Sequence, residues 1–125
     1  SLTGTFQLVL HKKADLPGTP LAELAYPLLE TQDEWLLHGF SYANYLAELG
    51  PDAQNQIFKK SSVDLALRDA YHKMRHFLMT TQGLGEDEAI SLMSIAVDFG
   101  ITQVVDGIWG VHALVKKSIF PARGA

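Results

Sequence analysis

Residues 89–120 read AISLMSIAVDFGITQVVDGIWGVHALVKKSIF, the densest apolar run in the chain. The run continues a segment that begins at Glu86, in which apolar residues recur at three- and four-residue spacing. This spacing predicts a helix from Glu86 to Phe99, with acidic residues in its first turn and apolar residues around most of its circumference. Asp98 would then lie in the last turn, buried and in need of a partner for its charge.

Two strands are predicted after this helix. Gly100 supplies a helix stop, and the β-branched run Ile101–Val105 predicts the first strand. After a connection flanked by glycines, Val111–Ile119 alternates in the manner of a second strand. Because the connection is short, we expect the two strands to pair antiparallel.

The first part of the chain predicts further strands. Apolar residues at positions 6, 8 and 10 alternate with their neighbours in a strand pattern, so close to Ser1 that we expect the rest of the sheet to lie upstream. Leu28–Glu30 predicts a short strand after Pro27, and Glu34–Phe40 a longer one. Within the longer strand Gly39 indicates a bulge or a close backbone approach.

Between these strands and the terminal stretch the pattern is helical. Residues 41–60 predict two short helices that are separated by Gly50-Pro51. A long helix is then expected to start at a cap on Ser61 or Ser62 and to run to about Thr81. Its predicted core stripe consists of Val63, Ala66, Leu67, Ala70, Tyr71, Met74, Phe77 and Leu78. Two ion pairs at i,i+4 spacing, Asp64 with Arg68 and Asp69 with Lys73, are expected on its solvent side.

These elements predict a single α+β domain over residues 1–125. The mostly antiparallel sheet would have about four strands, and two long helices would pack on one of its faces. A chain of 125 residues can bury one sizeable core, and it shows no internal repeat or low-complexity segment.

Composition excludes several classes of function. The net charge of −4 disfavours nucleic-acid binding, which calls for a basic face. No apolar run is long enough to cross a membrane, so no membrane partner is expected. Cysteine is absent, which excludes thiolate chemistry and disulfides and fits a cytoplasmic location.

Asp98 and Gln103 are the candidate catalytic residues. Asp98 could be structural, with its charge met by backbone N–H groups or an arginine, or it could line a pocket beside a reacting group. Gln103 lies among valine and isoleucine residues, so its amide must find partners, and a substrate amide is one such partner. Asp106 precedes a glycine, which favours a turn.

Histidines supply the other candidates. His38 precedes Gly39, where a substrate or a neighbouring subunit could approach, and His112 is predicted to face away from the apolar side of its strand. His72 and His76 have the i,i+4 spacing of metal ligands, but lysine and arginine lie between them and no glutamate does. We therefore predict a solvated helix face there and no metal ligand in this chain.

Residues 64–120 resemble the C-terminal segment of the acetamidase/formamidase family of amide hydrolases. The resemblance rests mainly on SIAVDFGITQVVD at 94–106 and GVHALVKKSIF at 110–120, together with the preceding helix. The segment HGFSYANYLAELG at 38–50 is similar to the formamidase branch of the family. Members of that family are much longer, so the chain would be the C-terminal part of a larger β-rich enzyme.

The resemblance implies hydrolysis of short linear amides, formamide or acetamide, to a carboxylate and ammonia. The chain would supply a wall of that active site, on which Asp98 and Gln103 are the predicted catalytic residues and His38 and His112 the predicted substrate-binding residues. A divalent metal, if one is used, would be bound mainly by the missing N-terminal part. That part would also supply most of the catalytic groups. The isolated chain would then be inactive, and a homo-oligomer is expected. The alternative is a non-catalytic domain that serves oligomerisation or interaction.

Overall fold

The computed structural model describes residues 1–24 and 26–121. Four strands and four α-helices lie in this part of the chain: β1 (Leu28–Glu30), β2 (Glu34–Phe40), α1 (Tyr45–Leu49), α2 (Ala53–Lys60), α3 (Val63–Gln82), α4 (Glu86–Ala96), β3 (Val97–Gln103) and β4 (Gly110–Lys116). Short 3-10 turns occupy Lys13–Asp15, Pro20–Glu23, Gly50–Asp52 and Lys117–Ile119. None of the described helices is long and apolar enough to cross a membrane.

The four strands form one antiparallel sheet in the order β1-β2-β4-β3. β4 pairs with β2 along its whole length and with β3 on its other side, so the last strand of the chain lies inside the sheet. The prediction of an α+β fold with an antiparallel sheet and helices is confirmed. The predicted antiparallel pairing of the two terminal strands is confirmed as well.

Helix α3 forms the second layer. The Ser62 side chain accepts a hydrogen bond from the Leu65 amide at its start, and Gly83 ends it in the left-handed conformation with φ of 69°. Its buried residues are Ala66, Ala70, Met74, Phe77, Leu78 and Thr81. The apolar members of this set pack on Leu37 of β2 and on the β4 side chains Val111, Ala113 and Val115. The predicted core stripe is thus largely confirmed, whereas Leu67 is exposed.

Gly39 allows α3 to approach β2 closely. A Cβ at this position would come within 2.7 Å of the Ala70 Cα and closer still to the Ala70 amide nitrogen and the Ala66 carbonyl oxygen. Backbone atoms cannot rotate away as a side chain can, so only glycine fits there. The close backbone approach predicted at this residue is confirmed.

The predicted solvent-side pair Asp69 and Lys73 has a different role. β1 is short, and it leaves residues 38–40 of β2 without a strand neighbour on that side. Asp69 Oδ2 accepts a hydrogen bond from the Phe40 amide at 2.8 Å, and Lys73 Nζ donates one to the His38 carbonyl at 3.0 Å. Their own charges pair at 2.6 Å. The two side chains therefore take the place of the absent strand along this edge.

The boundary between α4 and β3 differs from the prediction. The helix ends at Ala96, and Val97 already pairs with Val115 of β4, so Asp98 lies in a strand and Gly100 is not a helix stop. Ladder hydrogen bonds to β4 and the β-branched Val97 outweigh the helical spacing of these residues. The prediction that α4 is buried on several sides is also wrong, because only Ala89 and Met93 are buried while Ile95 is exposed.

The strand predicted around residues 6–10 is absent from the structure. Residues 1–12 hold no regular element, and every one of them is exposed. A strand needs a neighbour to accept and donate its backbone hydrogen bonds, and none of the described strands pairs with this segment. The sequence pattern of a strand is present there without its partner.

Candidate functional site on the open sheet face

Side chains of the three longer strands that point away from α3 form a surface that we call the open face. It consists of Leu36, His38, Phe40, Asp98, Gly100, Thr102, His112 and Leu114, which alternate with the residues facing the helix layer. Each of these residues is half-buried or exposed. Within residues 1–24 and 26–121 no second layer covers this face, in contrast to the opposite face under α3.

His38 and His112 meet at the centre of the open face. They lie directly opposite each other on β2 and β4, with ring centroids 6.2 Å apart in an edge-to-face arrangement. They are 74 positions apart in the sequence, and the pairing of β2 with β4 brings them together. The prediction that His112 faces away from the apolar side of its strand is confirmed.

Two residues of β3 fix the orientation of His112. Its Nδ1 and the hydroxyl oxygen of Thr102 are hydrogen-bonded at 2.9 Å. A Cβ on Gly100, the residue opposite His112, would come within 2.6 Å of Nε2, so the imidazole lies over the bare backbone of β3. The hydrogen bond therefore holds the ring at Nδ1, and the missing side chain of Gly100 leaves room for Nε2.

The environment of His38 favours its neutral form. Partial burial lowers the pKa of His38 below 6.5, and nearby His112 and Lys73 lower it further. The ring of Phe40 lies 6.1 Å away on the same strand and supplies part of the apolar surface. At neutral pH His38 is therefore an uncharged imidazole that can donate one hydrogen bond and accept another.

Asp98 lies on the open face, but it is not buried. Its side chain is exposed on β3 opposite Leu114, and among the described residues none hydrogen-bonds to its carboxylate. The expectation of a buried, partnered carboxylate was wrong because it rested on a helix end, and residue 98 belongs to an edge strand. Its catalytic role stays a prediction, now for a solvated carboxylate in the row next to His112.

Gln103 organises the loop between β3 and β4. Its amide nitrogen donates to Asp106 at 3.0 Å and to the Ile108 carbonyl, while its oxygen accepts from the Val105 amide at 3.0 Å. Asp106 also accepts from the Ile108 amide, and hydrogen bonds from Gln103 and Ile108 lower the pKa of Asp106. The predicted turn at Asp106 is confirmed. The partners that the Gln103 amide required lie in this loop, and its catalytic role stays a prediction.

Sequence reasoning missed Gly100 and Thr102 as members of the site. Gly100 had a ready explanation as a helix stop, and Thr102 was one residue of a β-branched run. The pattern that could have found them is strand alternation starting at Val97, which puts positions 98, 100 and 102 on one face.

The described residues do not complete a metal site. They hold no group of three or more histidine, cysteine, aspartate or glutamate side chains that could share an ion. On the open face two imidazoles are available, and one nitrogen of His112 is already bonded to Thr102. His72 and His76 lie exposed on α3 in the other layer. Two imidazoles alone fall short of the three or four protein ligands of a typical zinc site.

A cavity of about 470 Å³ lies in the helix layer, away from the open face. Trp35, Phe77 and Phe120 supply much of its apolar lining, with ring centroids 5.6 Å apart for Trp35 and Phe77. At its rim Lys117 Nζ binds Glu30 at 2.6 Å and the Thr31 carbonyl at 2.6 Å. Because these charges satisfy each other, the cavity offers less to proton transfer than the open face does.

Comparison with known proteins finds a likeness in structure. No protein-family model matches the chain, and no curated protein matches its sequence. Among solved structures the chain is similar to an acetamidase from Bacillus halodurans, with a TM-score of 0.58 and 20% sequence identity over 79% of the chain. The chain spans 27% of the length of that acetamidase. The likeness establishes an acetamidase-like fold for this domain.

Proposed function

We propose that this chain is part of an amidase that hydrolyses short linear amides such as formamide or acetamide to a carboxylate and ammonia. The observation that carries the proposal is the likeness in fold to an acetamidase, together with the two facing histidines on the open face of the described sheet. On this proposal the open face is a wall of the active site, and the enzyme extends well beyond the segment that matches these residues.

His112 is the residue best placed for proton transfer. Hydrolysis of an amide requires a base for the attacking group and an acid for the departing amine. An imidazole can serve in both roles near neutral pH. The hydrogen bond between Nδ1 and Thr102 holds the ring in place, and Gly100 leaves room for it over β3. A fixed ring places its proton at a defined point, which a mobile surface histidine does not.

His38 would bind the substrate beside His112. A small amide has one carbonyl acceptor and N–H donors, and a neutral imidazole offers the matching donor and acceptor. The lowered pKa of His38 keeps it in that neutral form. Leu36, Leu114 and Phe40 surround the pair with apolar surface, which suits an uncharged ligand better than an ion.

The remaining chemistry would come from outside these 125 residues. Stabilisation of the developing oxyanion requires donors aimed at one point above the face. Any divalent metal would likewise be bound mainly elsewhere, and a bound metal would polarise the amide carbonyl as a Lewis acid. Asp98, from its exposed position on β3, would orient the substrate amide or a catalytic group of the other part. The formamidase branch and the C-terminal position of the chain belong to the same proposal.

Ammonia release from formamide and acetamide tests the proposal. The assay uses the longest natural polypeptide that contains these 125 residues, both unaltered and with His112→Asn. We expect the substitution to lower the turnover rate by about 100-fold or more, while the melting temperature stays unchanged. His72→Asn is the matched control, because it makes the same change at an exposed position in the other layer.

Two results would contradict the proposal. One is a folded polypeptide that releases no ammonia from any short linear amide. The other is equal turnover in the His112→Asn and His72→Asn variants, which would remove the open face from the active site. The first result would favour the alternative, a domain that serves assembly alone.

A further inference from the structure

The cavity in the helix layer has an aromatic interior. The Trp35 ring centroid lies 5.6 Å from that of Phe77 and 6.0 Å from that of Phe120. These two rings are inclined to the indole plane at 65° and 51°, so they form walls beside it rather than a flat stack. Leu21 and Leu28 add to the apolar lining. A cavity of about 470 Å³ with such a lining has the size and character of a small-molecule site.

Two opposite charges lie at the rim of this cavity. Lys117 Nζ donates to a Glu30 carboxylate oxygen and to the Thr31 carbonyl, each at 2.6 Å, and lies 5.3 Å from the Trp35 ring centroid. The hydrogen bond and the charge of Lys117 lower the pKa of Glu30, and a hydrogen bond from Trp35 lowers it further. Glu30 is therefore a carboxylate at neutral pH, and the ion pair carries no net charge.

Both partners of the ion pair keep hydrogen-bonding capacity. An ammonium group has three N–H donors, and toward the described residues Lys117 uses two of them in hydrogen bonds. A carboxylate has about four acceptor positions, of which Lys117 and Trp35 take two. The rim therefore offers a hydrogen-bond donor and an acceptor side by side, next to an aromatic interior.

We propose that this cavity binds an uncharged aromatic molecule that carries a primary amide group. The aromatic ring would lie between Trp35, Phe77 and Phe120. The amide carbonyl would accept a hydrogen bond from Lys117 Nζ, and the amide N–H would donate one to Glu30.

The charges at the rim favour a neutral ligand over an ion. A carboxylate in the same place would face the negative charge of Glu30, and an ammonium group would face the positive charge of Lys117. A primary amide meets both partners without repulsion, because it offers one acceptor and one donor. The proposal is independent of the amidase function, because the cavity lies across the sheet from the open face and the test measures binding alone.

Titration with cinnamamide, followed by NMR, tests this inference on the 125-residue chain. The chain has two tryptophans, Trp35 in the cavity and Trp109 in the loop between β3 and β4. We expect the indole N–H signal of Trp35 to shift on binding, while that of Trp109 stays in place. Cinnamate has the same shape and one negative charge, so it should bind about tenfold or more weakly than cinnamamide.

Glu30→Gln tests the role of the rim charges. It keeps the shape of the side chain and leaves the charge of Lys117 unbalanced, so the preference should reverse and cinnamate should bind more tightly than cinnamamide. Because the Glu30 side chain is 58% exposed, the fold should be unaffected, which circular dichroism checks. Glu34→Gln is the matched control: it makes the same change on β2, opposite Lys116 and on the other side of the sheet, and should keep the preference for cinnamamide.

A Trp35 signal that does not move at millimolar cinnamamide overturns the inference. Equal shifts at Trp35 and Trp109 do so as well, because they would indicate adsorption outside the cavity. Equal affinity of the unaltered chain for cinnamamide and cinnamate would remove the amide from the proposal. A preference for cinnamamide that survives Glu30→Gln, or that is lost in Glu34→Gln, would show that the pair at the rim does not select the ligand.

Discussion

The imidazole of His112 owes its position to a residue that has no side chain. Gly100 and Gly39 both lie in strands and both exclude a Cβ, but for different reasons: at Gly100 the obstacle is the end of the His112 side chain, and at Gly39 it is the backbone of α3. A side chain can rotate to another rotamer, whereas a helix backbone held by its own hydrogen bonds cannot.

Alanine substitution at these two glycines should therefore affect different properties. Gly39→Ala should change the stability, and Gly100→Ala should change the position of the His112 ring. Gly39→Ala should lower the free energy of unfolding by about 1–3 kcal/mol or more, because α3 must move off the sheet. Gly100→Ala should change it by less than about 1 kcal/mol but displace the His112 ring from Thr102. Urea unfolding measures the first effect, and nuclear Overhauser contacts between the two side chains measure the second. Retention of those contacts in Gly100→Ala would contradict the geometry.

The lowered pKa of His38 predicts that the stability of the fold depends on pH. Its folded pKa lies below 6.5, the value in the unfolded chain, so between those two values the unfolded state binds the proton more readily. The contribution of neutral His38 to the free energy of unfolding is fully present above pH 6.5 and is lost as the pH falls toward the folded pKa. His38→Gln should flatten this part of the profile, as measured by urea midpoints. An unchanged profile in His38→Gln would contradict the predicted contribution of this residue.

At the scale of elements, the edge of β2 beyond β1 is closed by a helix rather than by a strand. Asp69 and Lys73 of α3 bind the Phe40 amide and the His38 carbonyl, the two backbone groups that a neighbouring strand would have satisfied. The same contacts hold the strand that carries His38. An edge closed by charged side chains is also a poor template for pairing with another chain.

Asp69→Ala tests this closure. It leaves the Phe40 amide unpaired and removes the partner of Lys73, so we expect a loss of about 1–3 kcal/mol in the free energy of unfolding. Arg68→Ala, one residue earlier and exposed, should stay within about 0.5 kcal/mol of the unaltered chain. Chemical denaturation of the two variants decides the matter, and equal stabilities would mean that the Asp69 contact contributes nothing.

The core stripe of α3 offers a second comparison between two predicted members. Phe77 is 2% exposed and packs edge-to-face on Trp35, whereas Leu67 is 38% exposed at the margin of the helix. Phe77→Ala should lower the free energy of unfolding by about 3–5 kcal/mol, and Leu67→Ala by about 1 kcal/mol or less. If Phe77→Ala lost less than about 1 kcal/mol, α3 would not be packed on the sheet as described.

At the scale of the whole molecule, the open face carries catalytic residue types without a complete catalytic set. Amide hydrolysis needs a nucleophile, proton transfer and stabilisation of an oxyanion. The face holds His38, His112 and a solvated Asp98. We therefore predict that the 125-residue chain alone, folded as judged by circular dichroism, releases no ammonia from formamide above a blank. Turnover by the chain alone would show that the 125 residues hold a complete active site.

Local pattern alone determined much of the architecture. The strand Glu34–Phe40, the long helix that starts at Ser61 or Ser62 and runs to about Thr81, and a bulge or close approach at Gly39 were all predictable. In each of these cases the spacing of apolar residues and one special residue at a boundary point to a single structure. The outward direction of His112 followed from the same alternation.

Tertiary structure alone decided where α4 ends and where the candidate site residues lie. The run 89–105 is so apolar that helical and strand periods both fit it, and only the pairing of Val97 with Val115 selects a strand there. That choice moves Asp98 from a buried helix end to an exposed strand and places Gly100 and Thr102 beside His112. His38 and His112 are distant in sequence, so their contact depends on the β2–β4 register, which no local pattern contains.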